Sequence, residues 1–303
     1  MVTPTKAMYH KPVFLKESVD GLVWKPGGTY VDLTFGGGGH SSAILEKLEG
    51  GRLFAFDQDQ DAAANAEGMA LTFIQSNFRH LKRYLKLHGV SQVDGILADL
   101  GVSSHQFDVP DRGFSTRFEA ELDMRMDQQG QRTAKEVVNK YSERELHQLL
   151  GMYGEVKNAR TLAQAIVAAR VNHPIETVEE LKQVLIKFAP KGREAKYYAQ
   201  VFQALRLEVN DEIKALEEML EQAVELLVPG GRLVILSYHS LEDRLVKNII
   251  NKGKLYGEVE KDFYGNAQLP LKAVNKKPLI PSAEEIKENS RARSAKLRIA
   301  EKR

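Results

Sequence analysis

Three aspartates and a run of four glycines are the residues of this 303-residue chain whose types and spacing could do chemistry. Gly36, Gly37, Gly38 and Gly39 directly follow the short apolar run 30–33 and its flanking Thr34-Phe35, and Asp32 stands four residues ahead of Gly36. Asp57 comes 18 residues after Gly39, and Asp99 closes the later run VDGILAD. Glycines remove the side chains that would keep a ligand off the backbone, and the helix start beyond them offers free N–H groups. A carboxylate about 20 residues past such a loop is placed to meet ribose hydroxyls. The set reads as a site for a nucleoside-containing cofactor.

Which cofactor is decided by charge. Gly36 and Gly38 fit the first half of a dinucleotide fingerprint, but Ser41 stands where its third glycine belongs. Asp32 would repel a pyrophosphate and suits a cationic ligand; S-adenosylmethionine carries a sulfonium and an ammonium and no phosphate. The bland alternative is a flexible turn with Asp32 capping the helix. Methyl transfer from a sulfonium is an in-line displacement that needs alignment of donor and acceptor and calls for no metal. Phe78 could lie on an adenine face or be a plain core aromatic. Asp99 could accept from the adenine amino group, steer the acceptor, or cap the next segment.

The elements that must position these residues alternate. Residues 12–23 resemble a short amphipathic helix, 30–33 a strand, 41–48 a helix and 53–56 a strand ending at Asp57. Residues 59–70 are alanine-rich and expected to be helical. A third strand covers 71–75, a helix 80–88, and a fourth strand 93–100. These strands are nearly all apolar rather than alternating, which predicts a parallel sheet covered on both faces. Ligands bind beyond the carboxyl ends of such strands, where Asp32, Asp57, Phe78 and Asp99 would share one edge.

The next clear sheet strand is 230–237, about 130 residues on, whereas a single crossover needs roughly 30. An all-helical insert is therefore expected over 109–210, dividing the α/β domain into 1–108 and 211–303. Ser142-Glu143-Arg144-Glu145 and Thr177-Val178-Glu179-Glu180 are capping boxes inside it, and residues 160–171 carry an apolar face. A long helix over 211–227 should pack back on the sheet. Residues 295–300 read as a last strand, antiparallel at the sheet's end.

Composition bounds the setting. The net charge is +2 and there is no cysteine, which removes disulfides and thiolate metal sites and is compatible with a reducing cytosol. No apolar run approaches the ~18 residues of a membrane span, and a cytoplasmic location is expected. Residues 289–303 hold six basic residues (Arg291, Arg293, Lys296, Arg298, Lys302, Arg303) against Glu301, a tail suited to a phosphate backbone or simply a solvated end.

An ordered set of motifs then makes the reading specific. His10-Lys11-Pro12-Val13, Thr34-Phe35 with the glycine run and His40-Ser41, Asp99-Leu100-Gly101-Val102-Ser103-Ser104, and Arg112-Gly113-Phe114-Ser115 come first. Leu122-Asp123-Met124-Arg125-Met126-Asp127, Ser237-Tyr238-His239-Ser240-Leu241-Glu242-Asp243-Arg244 and Asn289-Ser290-Arg291-Ala292-Arg293-Ser294 follow. Together they resemble the bacterial 16S rRNA (cytosine-N4) methyltransferase family RsmH, also called MraW. The resemblance implies a Rossmann-like S-adenosylmethionine-dependent sheet with an inserted helical substrate-recognition domain. It implies as target the exocyclic N4 of a cytidine in the decoding region of 16S rRNA, with the small ribosomal subunit or its rRNA as partner; a homodimer is left open.

Carried over residue by residue, the implied cofactor contacts are Gly38, Gly39, His40, Asp57, Phe78, Asp99 and Gln106. Thr34 stands where methyltransferases usually have glycine, a departure that RsmH-like sequences share. The Asn/Asp-Pro-Pro-Tyr motif of many amino-methyltransferases is replaced by Asp99-Leu100-Gly101-Val102. Asp99, Ser103 and Asp127 stand as candidates for assisting proton loss from the amine. Tyr238 or His239 could hold an extruded base, although a hydrogen-bonded core histidine is the plainer role for His239. Arg112, Arg117, Arg125 and Arg132, with Arg291 and Arg293 of the tail, would meet phosphates. The competing classes are an NAD-linked oxidoreductase, which lacks its third loop glycine here, a methyltransferase for another acceptor such as DNA or protein, and a non-catalytic RNA-binding assembly factor.

Overall fold

The computed structural model describes residues 12–303, so His10 and Lys11 of the first motif lie outside the described residues. In chain order the first elements are α1 (Leu15–Leu22), β1 (Thr29–Asp32), α2 (Gly39–Leu45), β2 (Arg52–Asp57), β3 (Thr72–Gln75), α3 (Leu81–Leu87) and β4 (Val93–Asp99). Helices α4 (Ser104–Asp108), α5 (Ala134–Lys140), α6 (Glu143–Met152), α7 (Ala159–Asn172), α8 (Val178–Leu185) and α9 (Glu194–Val209) follow. The chain closes with α10 (Glu212–Leu226), β5 (Leu227–Ser237), α11 (Ser240–Lys252), β6 (Leu271–Ala273), α12 (Ala283–Glu288) and β7 (Lys296–Lys302). Two compact units result: residues up to Gly101 with Ile213–Arg303, and Val102–Glu212.

The first unit is an α/β unit built on a seven-stranded sheet in the order β3-β2-β1-β4-β5-β7-β6. β3, β2, β1, β4 and β5 are mutually parallel, and β7 runs antiparallel to both β5 and β6. Alternate residues serve the two faces, as the strand period of two requires. Val31, Phe54, Phe56, Ile96, Leu233 and Ile235 pack with α3, α10 and α11, while Tyr30, Leu53, Leu97 and Val234 pack with α1 and α2. Burial on both faces is why these strands carry apolar residues almost continuously. Between β1 and β4 the strand order reverses, and such a reversal opens a crevice at the carboxyl ends of the strands.

Four local expectations are corrected by the structure. Residues 59–70 form only a 3-10 turn, Gln60–Ala66, rather than an α-helix. Ala62 is its single buried residue, so the alanines offer intrinsic propensity without the apolar face that holds a short helix in place. The last strand is not at the sheet's end: β7 lies between β5 and β6, and the three-residue β6 is the edge. Half of the basic residues of the tail, Lys296, Arg298 and Lys302, belong to this strand. Lys296 and Arg298 pair with Asp243 at 3.1 and 2.7 Å, and Lys302 donates to the Val224 carbonyl at 2.8 Å. β5 also begins earlier than the sequence suggests. Val93 pairs Leu227 and Gly95 pairs Arg232, so Pro229-Gly230-Gly231 is accommodated as a bulge, with Gly230 at φ +82°.

The second unit is helical around its own core. Leu146, Leu149 and Leu150 of α6, Leu162 and Ile166 of α7, Leu181 and Leu185 of α8, and Val201 and Leu205 of α9 are buried together. Four of its helices open on reciprocal capping boxes: Ser103 with Gln106, Thr133 with Glu136, Ser142 with Glu145, and Thr177 with Glu180. Each cap satisfies an N–H that the helix itself leaves unbonded, a contribution of about 1 kcal/mol apiece.

Candidate active site

The register of the sheet places the aspartates at two depths. Asp32 pairs with Ala55 of β2 and Leu97 of β4, two residues short of Asp57 and Asp99 on those strands. Asp32 therefore sits roughly 7 Å behind the other two on the same face of the sheet. Its exposure follows: Asp32 is 0% exposed, while the Asp99 side chain is 23% exposed. Asp57 and Asp99 flank the mouth and Asp32 forms its floor.

All three aspartates are tied to the loop that leaves β1, Asp32 and Asp57 through their carboxylates and Asp99 through its backbone N–H. Asp32 accepts from the Thr34 N–H at 3.1 Å and from the Ser41 hydroxyl at 2.7 Å, tying the strand end to the first turn of α2. Asp57 accepts from the N–H groups of Gly36 and Asp59 at 2.8 and 2.9 Å. The Thr34 hydroxyl accepts from the Asp99 N–H at 2.7 Å, so the threonine in the usual glycine position joins the loop to the end of β4. Tyr238, just beyond β5, donates its phenolic hydrogen to Asp99 at 2.7 Å.

His40, in the first turn of α2, is buried. Its Nε2 lies 3.2 Å from the Val13 carbonyl, and its Nδ1 lies 3.9 Å from Asp99 Oδ2. A carbonyl only accepts, so Nε2 carries the hydrogen and Nδ1 is the nitrogen turned toward the carboxylate.

The glycine run is required first by the protein's own packing. Gly38 takes φ +77°, and a Cβ there would meet Phe35 at 2.9 Å; a Cβ on Gly39 would fall 2.3 Å from the Pro12 ring. The backbone of the loop thus lies close against its own neighbours without side chains of its own. Phe78 opens a 3-10 turn capped by Asn77, is half-buried, and packs on one side against the core shared with α3.

Burial raises the proton affinity of all three aspartates. Asp57 is pushed up to about 6, chiefly because it is desolvated, with its two backbone N–H donors pulling the other way. Asp99 is raised by burial, against the pull of His40 and of the Tyr238 hydroxyl, and Asp32 is raised for the same reason against His40 and Ser41. Tyr238 is raised well above an ordinary phenol by its own burial and by the neighbouring Asp99.

The remaining sequence candidates have occupations of their own. His239 caps α11, its Nδ1 accepting from the Glu242 N–H at 3.4 Å, and Glu242 in turn accepts from the Tyr238 N–H at 2.8 Å. Arg293 is exposed, and Arg291 lies partly exposed in a short 3-10 turn. In the second unit, Ser103 and Gln106 form the cap of α4, and Gln106 is buried. Arg125 is bound in a bidentate pair with Asp123 and donates to the carbonyls of Gln128 and Gly130. Arg112 is buried and donates to the carbonyls of Arg125 and Met126, and Arg132 reaches Glu208. Those guanidinium groups spend their hydrogens on the unit itself. Asp127 is exposed, its carboxylate accepting from the Gln129 N–H at 2.9 Å.

The donor set fits one class of ligand. Carboxylates end three adjacent strands, a floor that disfavours a phosphate and suits positive charge and hydroxyl donors. Sulfonium, ammonium and ribose hydroxyls are such groups.

Comparison with known proteins agrees with that chemistry. A model of the MraW methylase family matches residues 7–303. The chain is 60% identical to the ribosomal RNA small subunit methyltransferase H of Cytophaga hutchinsonii, over 97% of this chain and 100% of the relative. It is 58% identical to the protein of the same name from Flavobacterium johnsoniae, over 98% and 99% of the two chains. Among solved structures, an rRNA methylase from Streptococcus thermophilus aligns over 94% of each chain at 14% identity and a TM-score of 0.41, too distant a likeness to argue from.

Proposed function

The chain belongs to the MraW methylase family, and from that premise we propose that it is an S-adenosylmethionine-dependent rRNA methyltransferase acting on the exocyclic N4 of a cytidine in the decoding region of 16S rRNA. Its partner on this reading is the small ribosomal subunit or its rRNA, in the cytoplasm. The observation that carries the proposal is the acidic edge at the strand-order reversal, where Asp57 and Asp99 flank a glycine loop anchored on buried Asp32. The names of the relatives supply the rRNA, and the chemistry of the edge supplies the cofactor class.

Each residue then has a task. Asp57 accepts from the two ribose hydroxyls, the loop at Gly38, Gly39 and His40 receives the methionine portion, and Phe78 lies against the adenine. The bound cofactor supplies an electrophilic methyl group. The cytosine amine is a weak nucleophile because its lone pair is delocalised into the ring, so an acceptor beside its N–H both frees that pair and takes up the surplus proton. Asp99 suits this role. Burial makes it a stronger base than an ordinary carboxylate, and Tyr238 occupies Oδ1, leaving Oδ2 as the accepting atom. Substrate recognition is assigned to the helical unit, Val102–Glu212.

The test is transfer of labelled methyl from S-adenosylmethionine to small subunits lacking the modification, with digestion to nucleosides and identification by mass. N4-methylcytidine formed by the wild type and lost in Asp57→Ala supports both the reaction and the cofactor site. Transfer to no subunit or free rRNA, despite binding of S-adenosylhomocysteine, overturns the acceptor and keeps the fold.

A further inference from the structure

After α11 ends at Gly253, the chain folds a hairpin that serves neither the sheet nor the acidic edge. Lys261 and Ala267 close it as an antiparallel bridge. Within it the Asp262 N–H donates to the Asn266 carbonyl and the Gly265 N–H to the Asp262 carbonyl, both at 2.9 Å. The Asp262 carboxylate accepts from the Tyr264 and Asn266 N–H groups at 2.9 and 2.8 Å and from the Asn266 side-chain amide at 3.1 Å. Gly265 supplies the left-handed residue at φ +84°. The turn is thus internally fixed.

What this turn holds out is aromatic. Phe263 is 97% exposed and Tyr264 85% exposed, the two highest values among the large hydrophobic residues described, and their rings stand edge to face with centroids 5.6 Å apart. Exposed aromatic surface costs free energy in water, and nothing in the core is gained by it. The surrounding stretch is basic. Between Lys247 and Lys277 there are seven lysines against three acidic residues. Glu260 and Lys254 pair at 3.1 Å, and Lys261 is the lysine of the hairpin itself, beside the ionised Asp262 that fixes the turn.

We infer that Phe263 and Tyr264 form a stacking platform for unpaired nucleotides of the RNA substrate, with the flanking lysines tracking its phosphates. The inference rests on the rRNA reading for the identity of the strand. Unpaired bases stack on exposed aromatic faces irrespective of sequence, and lysines beside them attract the backbone. Two rings at right angles suit successive splayed bases; a protein groove would instead meet a continuous apolar face. The excess of lysines along residues 247–277, seven against three acidic residues, favours a polyanion.

The experiment uses the full chain with Phe263→Trp as a fluorescent reporter, corrected for Trp24 with the wild type, and short single-stranded oligocytidylate as probe. Stacking should quench the new tryptophan saturably. The double variant Phe263→Ala/Tyr264→Ala should bind the same RNA roughly 10- to 100-fold more weakly, and the swap Phe263→Tyr/Tyr264→Phe should bind as the wild type does. Binding of S-adenosylhomocysteine and the thermal midpoint should be unchanged in both, since neither ring is buried. Absence of quenching, or an RNA affinity unaltered in the alanine variant, overturns the platform. Quenching by RNA with no methyl transfer to subunits would overturn the rRNA-methylation reading and leave the platform standing; normal transfer without quenching would do the reverse.

Discussion

Tyr238 and Asp99 meet end to end, a phenol donating at 2.7 Å to a carboxylate 139 residues away in sequence. The two close adjacent strands β5 and β4, where Asp99 pairs with Leu236. The hydrogen bond stabilises the ionised carboxylate and so opposes the burial that raises its proton affinity. Tyr238→Phe removes that opposition and moves the Asp99 pKa further up. The acid limb of the kcat profile should then shift to higher pH. At a fixed pH on that limb kcat should fall by roughly tenfold, the worth of one hydrogen bond to a charged group. A pH–rate series on both proteins checks it; an unmoved acid limb would show that Asp99 does not titrate in the rate-limiting step.

Asp57 provides a separate handle on binding. Its pKa is pushed up to about 6 by burial. Folding therefore favours its protonated form, and the cost of the buried charge appears as pH rises from the unfolded carboxylate range through 6. Ribose hydroxyls need the ionised form as acceptor. Affinity for S-adenosylhomocysteine should accordingly hold above pH 7 and weaken by about tenfold per unit below 6, as single-site protonation requires. Calorimetric titration of the wild type should show the decline, and Asp57→Ala should bind weakly with no such dependence.

The Asp32–Ser41 bond gives a prediction about stability rather than rate. Asp32 is wholly buried and takes the Ser41 hydroxyl at 2.7 Å. Ser41→Ala leaves a buried carboxylate short of one donor, and Asp32→Ala leaves a buried hydroxyl without its acceptor. Each should cost about 1–3 kcal/mol, and the double variant should cost less than their sum, with a coupling of about 0.5–3 kcal/mol. Urea unfolding of the four proteins measures it. Strict additivity would mean that the bond contributes nothing.

How much of this was legible in the sequence depends on separation along the chain. β1, the glycine loop, α2, β2 and Asp57 lie within a few turns of one another, so spacing alone exposes them, and the C-terminal edge follows from apolar strands in a parallel sheet. Thr34 bonding to Asp99, and Asp99 to Tyr238, join segments 65 and 139 residues apart, which no local pattern reports. The 3-10 turn Gln60–Ala66 was masked by alanine propensity, and β6, three residues long, is formed by pairing with β7 rather than by its own composition. The arginines of residues 112–132 carried a charge signal that spacing could not resolve into phosphate contacts or internal bonds. Asp123-Met124-Arg125, with one residue between the two charges, did contain the hint of a local pair.

That distinction among arginines is itself testable. Arg125 is held by Asp123 and two backbone carbonyls, whereas Arg293 is exposed. Arg125→Ala should lower the thermal midpoint by several degrees, because it frees a half-buried carboxylate and two carbonyls at a cost of about 1–3 kcal/mol. It should leave the salt dependence of RNA binding nearly unchanged, since a guanidinium already paired with a carboxylate displaces few counterions. Arg293→Ala should do the opposite: no change in midpoint, and a slope of log affinity against log salt reduced by about one. Thermal melts and RNA titrations across salt concentrations separate the two. If Arg125→Ala lowered the slope and Arg293→Ala did not, phosphate contacts would have to be assigned to the helical unit instead of the tail.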